Sequence, residues 1–208
     1  MIKTYEDIVQ EISLGNPFAF TRWGDGEWLN IRKAPGGNCD GNLYYHDLGD
    51  ALKEIVETKQ DYILGAQDLK WNLPSDVANF TEQDWIDADV FHKASMEGRI
   101  DLLGEALRVP HVVYIGNKDL KRLPFINEFI EIPSNNVWKQ KDELLEVIKG
   151  TLDINRDKVY CFSAGMATNV FIHELWQYNN KQTYLDVGSV FDPYVGKHTR
   201  TYHKHLKL

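Results

Sequence analysis

Two carboxylates two residues apart in a glycine-rich segment, Arg22-Trp23-Gly24-Asp25-Gly26-Glu27, are the first residues whose types and spacing suggest chemistry. Asp25 and Glu27 could be directed at a hard cation that a diphosphate already holds, because such cations take oxygen ligands and are often shared between carboxylates and phosphates. Arg22 stands close enough to pair with the same phosphates. The competing reading is structural: Asp-Gly turns are commonplace, and an acid after a turn often caps the next helix. These residues alone leave both readings open.

A second constellation is Ser163-Ala164-Gly165-Met166-Ala167-Thr168, where a strand-like run passes through small residues straight into a helix. Gly165 would let a phosphate approach the backbone, and the free N–H groups and positive dipole end of a helix start favour an anion. A tight turn whose small residues only allow close packing explains the same pattern. Third comes Asp186-Val187-Gly188-Ser189-Val190-Phe191-Asp192-Pro193-Tyr194, a strand-terminal acid followed by a glycine and a second acid. Asp192-Pro193 is expected to begin a turn, with general base or substrate ligand as the other role for Asp192. His203 could act as base or phosphate ligand, although tail histidines are commonly just exposed. Trp23, Trp28, Trp71, Trp85 and Trp176 read as core or cleft walls. Trp138 differs, following Ser134-Asn135-Asn136 where a base could stack while amides meet the two-sided hydrogen bonding of a uracil ring.

The elements that must position these groups follow from periodicity. Helices are expected over 5–14, 47–58, 91–107, 137–150 and from Thr168 to about Tyr178, with another opened by the capping box Thr81-Glu82-Gln83-Asp84. Strands are expected at 18–22, 61–66, 109–116, 129–132, 158–162 and 183–187, and a surface loop at 33–41. No clean periodicity marks the stretch between Gln67 and Phe80. Strands alternating with helices imply crossovers and a mainly parallel sheet with helices on both faces, a single Rossmann-like α/β domain over 1–208. In such a sheet ligands bind beyond the carboxyl ends of the strands, where Gly116-Asn117 join the polar segments above.

Composition narrows the field. A chain of 208 residues can bury one core without disulfides, and 43% hydrophobic with 26% charged residues is a globular balance. No run approaches a bilayer span and the first residues carry no signal-peptide core, so the expectation is a cytoplasmic protein. Cys39 and Cys161 form neither a metal spacing nor a disulfide framework. The net charge of −8 opposes attraction to nucleic acid except at the basic tail, 195–208, where Lys197, Arg200, Lys204 and Lys207 cluster with three histidines. That tail is expected to be solvated or frayed.

Together these segments resemble the GT-D fold glycosyltransferases, a family first known as a domain of unknown function. Phe20-Thr21-Arg22-Trp23-Gly24-Asp25-Gly26-Glu27 resembles its aromatic-x-Arg-aromatic-Gly-Asp-Gly-Glu segment with an Asp-x-Glu metal motif. Ile132-Pro133-Ser134-Asn135-Asn136-Val137 resembles its Pro-Ser-x-Asn stretch, Ser163 to Thr168 its small-residue loop, and Leu185 to Ser189 its Asp-hydrophobic-Gly segment. The chain departs at Met166, where the family often has Pro, and at Ser189, where it often has His.

The resemblance implies a UDP-sugar donor, Mn²⁺ or Mg²⁺ at Asp25 and Glu27, and transfer to an acceptor hydroxyl on a glycan, a lipid-linked sugar, a polysaccharide or a modified DNA base. On it, Arg22, Gly24 and the backbone of Ser163, Ala164, Gly165 and Met166 would meet the diphosphate. Gly116, Asn117, Ser134, Asn136 and Trp138 would hold the nucleoside, and Asp186, Asp192, Arg200 and His203 would face the sugar and acceptor. Two rivals remain: a methyltransferase using S-adenosylmethionine, although the first strand lacks the glycine-rich loop with an acid at the next strand end, and a non-catalytic nucleotide-binding module.

Overall fold

Apolar residues at helical spacing roll the first segment into α1 (Tyr5–Leu14), which opens on a reciprocal cap between Thr4 and Asp7 and stops at Gly15 in the left-handed region. The computed structural model describes residues 2–67, 84–152 and 157–205. Beyond α1 the order is β1 (Ala19–Trp23), α2 (Asp25–Ile31), α3 (His46–Glu57), β2 (Ile63–Ala66), β3 (Trp85–Asp87), α4 (Val90–Met96) and α5 (Asp101–Ala106). Then come β4 (His111–Gly116), β5 (Glu128–Glu131), α6 (Lys141–Gly150), β6 (Lys158–Phe162), α7 (Ala167–Tyr178) and β7 (Thr183–Asp186).

The strands form one seven-stranded sheet in the order β3-β2-β1-β7-β6-β4-β5, and every pairing is parallel. Alternation along each strand sorts side chains between two cores. Ala19, Trp23, Val113, Ile115, Tyr160 and Phe162 face α2, α3, α6 and α7, whereas Phe20, Val112, Tyr114 and Cys161 face α1, α4 and α5. The chain leaves β4 outward to β5 but leaves β6 in the opposite direction to β7, which opens a crevice between the carboxyl ends of β4 and β6.

The α/β architecture and parallel sheet match the periodicity, and three local expectations change. The helix expected over 91–107 is two, α4 and α5, because Gly98 takes φ +70° and ends the first. Residues 81–83 of the expected capping box lie outside the described residues, as do Trp71 and most of the stretch from Gln67 to Phe80. Where the helix after that box would run, Trp85–Asp87 form the edge strand β3. The helix expected from Val137 begins as a 3-10 turn over Val137–Gln140 before α6.

Candidate active site

The glycine-rich segment is a helix start. Gly24 is the N-cap of α2, and Asp25 and Glu27 occupy its first turn, where both complement the helix dipole. Glu27 Oε2 accepts the Gly24 N–H at 2.8 Å and Asp25 Oδ1 accepts the Gly26 N–H at 2.8 Å, so each acid caps and keeps a second oxygen. Burial pushes the Glu27 carboxyl up to about 7 against the Gly24 N–H, with Asp186 adding to the rise and Arg22 opposing it. Asp25 is exposed. Both acids reach one neighbourhood, because the Tyr44 phenol is pushed up by burial and then by Asp25 and Glu27.

The donor set decides what cation would suit. Among the described residues no three His, Cys, Asp or Glu side chains form a metal cage. Asp25 and Glu27 are two apart on a helix and do not share a face. Two such carboxylates fit an open hard-cation site that phosphate oxygens and water complete, and do not fit a closed structural site.

Next to this turn stands the start of α7. Met166 packs over Gly26, where a Cβ would lie 3.3 Å from its sulfur, and Asn30 Nδ2 donates to the same sulfur at 3.8 Å. Gly165 takes φ +60° and lies against Asn42. Ser163 Oγ links Tyr114 Oη (2.8 Å) to the Gly188 carbonyl, and the Ala164 N–H is satisfied by Thr168 Oγ1 at 3.3 Å. The N–H groups of Gly165, Met166 and Ala167 donate to no described residue. Asn42, Tyr45, Asn136, Trp138, Ala164 and Met166 line a shallow, open depression beside them.

Asn136 is a clasp. Its backbone is left-handed (φ +57°), its N–H donates to Asn42 Oδ1 (2.9 Å), and its own Oδ1 accepts from the Leu43 N–H (2.9 Å) and Tyr45 Oη (3.1 Å). Lys141 Nζ sits 5.4 Å from the Trp138 ring centroid. Ser134 is exposed. Asn117 caps the short turn after β4 by accepting from the Asp119 N–H (3.1 Å), and Gly116 is held between Tyr114 and Leu120 with no room for a side chain.

Arg22 projects toward the other core. Its Nη2 meets Asp186 Oδ1 at 3.1 Å, its Nη1 lies 3.5 Å from His92 Nε2, and the group presses on Gly188. The His92 Nδ1 in turn lies 2.8 Å from Asp89 Oδ1, giving a polar row Asp89–His92–Arg22–Asp186 across the carboxyl ends of β3, β1 and β7. Arg22, expected to meet phosphate, is here paired with Asp186.

The tail does not fray over residues 197–203. Lys197 pairs with Asp119, Arg200 makes a two-pronged ion pair with Asp40 (2.5 and 2.6 Å), and Tyr202 stacks on His92 at 4.3 Å. This strap changes the reading of three residues. Arg200 is tied to Asp40 in the loop before α3. His203, expected to be exposed or reactive, is fully buried, and desolvation helped by Arg200 pushes it down to about 4. Asp192 is buried, its carboxyl pushed up by desolvation while Oδ2 accepts from Thr199 Oγ1 at 2.6 Å. It opens a 3-10 turn with Pro193, the turn that Asp-Pro suggested.

Asp89, His92, Asn42 and Tyr44 escaped the sequence reading. An acid followed three residues later by a histidine at a helix start was legible as Asp89 and His92, but their partner Arg22 lies 70 residues away in sequence.

No family model matches the chain, and no curated protein matches it. The solved structures do. One, described as showing that the highly conserved domain of unknown function 1792 has a distinct glycosyltransferase fold, aligns with a TM-score of 0.67 over 100% of this chain and 91% of that one, at 18% identity. Another, described as a new glycosyltransferase (DUF1792) from Streptococcus sanguinis, aligns at 0.66 over 93% of this chain and 84% of that one, at 14% identity. The resemblance carried by a few motifs thus extends to the whole architecture, and the chain has the fold described for domain 1792 as a distinct glycosyltransferase fold.

Proposed function

We propose that this protein is a glycosyltransferase that moves a sugar from a nucleotide-sugar, a UDP-sugar by the resemblance, to an acceptor hydroxyl with a divalent cation, Mn²⁺ or Mg²⁺. One observation carries the reading beyond the fold. The acid-bearing start of α2 and the N–H groups at the start of α7 that donate to no described residue meet through Gly26 and Met166, an arrangement that favours a cation and a diphosphate bound side by side.

Asp25 and Glu27 would hold the cation, which when bound offsets the charge that develops on the leaving diphosphate. The amides at Gly165–Ala167 would share that charge. The depression beside them would take the nucleoside, with Trp138 at its wall and Asn136 Nδ2, which donates to no described residue, as donor; the exposed Ser134 would add a hydroxyl. Asp186, buried and paired with Arg22, would lie on the side of the sugar and acceptor. No helix among the described residues is long and apolar enough to cross a membrane.

The test is a panel of nucleotide-sugars with Mn²⁺, scored by release of free nucleotide, beside thermal shifts. Stabilisation by UDP only when Mn²⁺ is present is the expected result. Stabilisation by S-adenosylmethionine without metal would overturn the reading in favour of methyl transfer. UDP-sugars bound yet never turned over with any acceptor pool would reduce the chain to a binding module.

A further inference from the structure

Glycosyl transfer by direct displacement with inversion needs a protein group that takes the hydroxyl proton, and the two bases suggested by sequence are closed. His203 is sealed from solvent, and Asp192 is buried with one oxygen on Thr199. We propose that His92 is the general base, oriented by Asp89; the assignment rests on the glycosyltransferase reading above.

The geometry is that of an acid–imidazole pair. Asp89 precedes α4 just beyond β3, at the carboxyl edge where Gly24 and Asp186 lie, and its Oδ1 is 2.8 Å from His92 Nδ1. With a carboxylate oxygen that near Nδ1 and the Arg22 guanidinium, which can only donate, on the Nε2 side, the surroundings favour the proton on Nδ1 and an Nε2 lone pair, the tautomer a base requires. The Nε2 neighbour is Arg22 Nη1 at 3.5 Å, a long contact that an entering hydroxyl can replace. Tyr202 stacks on one ring face at 4.3 Å and is itself fixed by Ser189 Oγ at 3.0 Å, so the ring direction is set. The side chains of His92 and Asp89 keep 25% and 21% exposure, enough for an acceptor to reach.

The other described histidines lack this combination. His111 also pairs with a carboxylate, Glu128, but at the first residue of β4 and therefore at the opposite edge of the sheet. His173 lies in mid α7 against Tyr62. His46 and His198 are exposed and hold no carboxylate among the described residues.

In the step, the acceptor oxygen bonds to the anomeric carbon as its proton passes to Nε2. The bond from that carbon to the phosphate oxygen breaks with its electron pair, which leaves with the nucleoside diphosphate, and the proton is later lost to solvent. Asp89 stabilises the imidazolium and is a positioning residue. The groups facing the ring are Arg22 from β1, Asp89 from its own helix start, and Tyr202 and His203 from the C-terminal strap.

The experiment compares the full chain with His92→Gln and Asp89→Asn, using UDP-glucose, UDP-galactose and UDP-N-acetylglucosamine with Mn²⁺ and p-nitrophenyl glycosides as acceptors. His92→Gln should lose about 100-fold or more in kcat, with donor KM and the UDP–Mn²⁺ thermal shift retained and the acid limb of the pH profile gone. Asp89→Asn should lose about 10-fold, with recovery in Asp89→Glu. Unchanged kcat or an unchanged pH profile in His92→Gln, beside an active parent, overturns the base while leaving the transferase reading standing. A parent that releases no nucleotide from any donor overturns that reading, and the base with it. Independently of turnover, ¹⁵N shifts of the neutral ring should report Nδ1–H; an Nε2–H tautomer overturns the assignment.

Discussion

The guanidinium of Arg22 lies so tightly on the backbone of Gly188 that a Cβ there would stand 1.9 Å from Nη2. Gly188 also has φ +52°, so the position rejects a side chain both for space and for backbone conformation. Gly188→Ala must expel Arg22 from Asp186 or shift β7. The expected cost is about 2 kcal/mol or more by denaturant unfolding, with loss of nucleotide release. Stability equal to the parent would mean that Arg22 is not held there.

Glu27 separates folding from chemistry. Its carboxyl rises from 4.5 to about 7 on folding, so its contribution is full below about 4.5 and is lost as pH rises through 7. Gln keeps an oxygen for the Gly24 N–H without the charge. The stability of Glu27→Gln relative to the parent should therefore grow between about pH 4.5 and above 7, while metal-dependent nucleotide release falls by about 100-fold. Urea unfolding at several pH values, with a release assay, checks both; full activity in the variant would remove Glu27 from the site.

His203 has the opposite sign. Its pKa falls from 6.5 to about 4 on folding, so the unfolded chain binds the extra proton between those values. The stabilisation is full above 6.5 and is lost as pH falls toward 4. His203→Asn should flatten this part of the stability–pH curve relative to the parent. Parallel curves would place the imidazole in solvent.

Asn136 joins two loops through three hydrogen bonds and a left-handed backbone. Asn136→Ala should cost about 2 kcal/mol and weaken the UDP–Mn²⁺ thermal shift, because the wall of the depression loosens. Asn136→Gly should keep the backbone conformation and regain part of the stability. Equal losses in the two variants would assign the whole effect to the side-chain bonds.

By itself the sequence determined where α1, β4, β6 and β7 lie, because apolar periodicity is a local property that burial on one face must respect. The parallel sheet followed from the alternation of those elements, and the polar segments after the strands marked the carboxyl edge. Strand order was not legible: nothing local says that β7 inserts between β1 and β6 and so brings Asp186 to Arg22. The short edge strand β3 carries too few residues for a pattern.

Only the tertiary structure decided the state of each group. It made Asp25 and Glu27 a helix start, turned Asn136 into a clasp, closed His203 and Asp192 beneath the strap, and set Asp89–His92 beside Arg22. Burial and charge pairing depend on neighbours 70 to 164 residues distant, as in Arg22 with His92 and with Asp186, and no spacing rule along the chain encodes those distances.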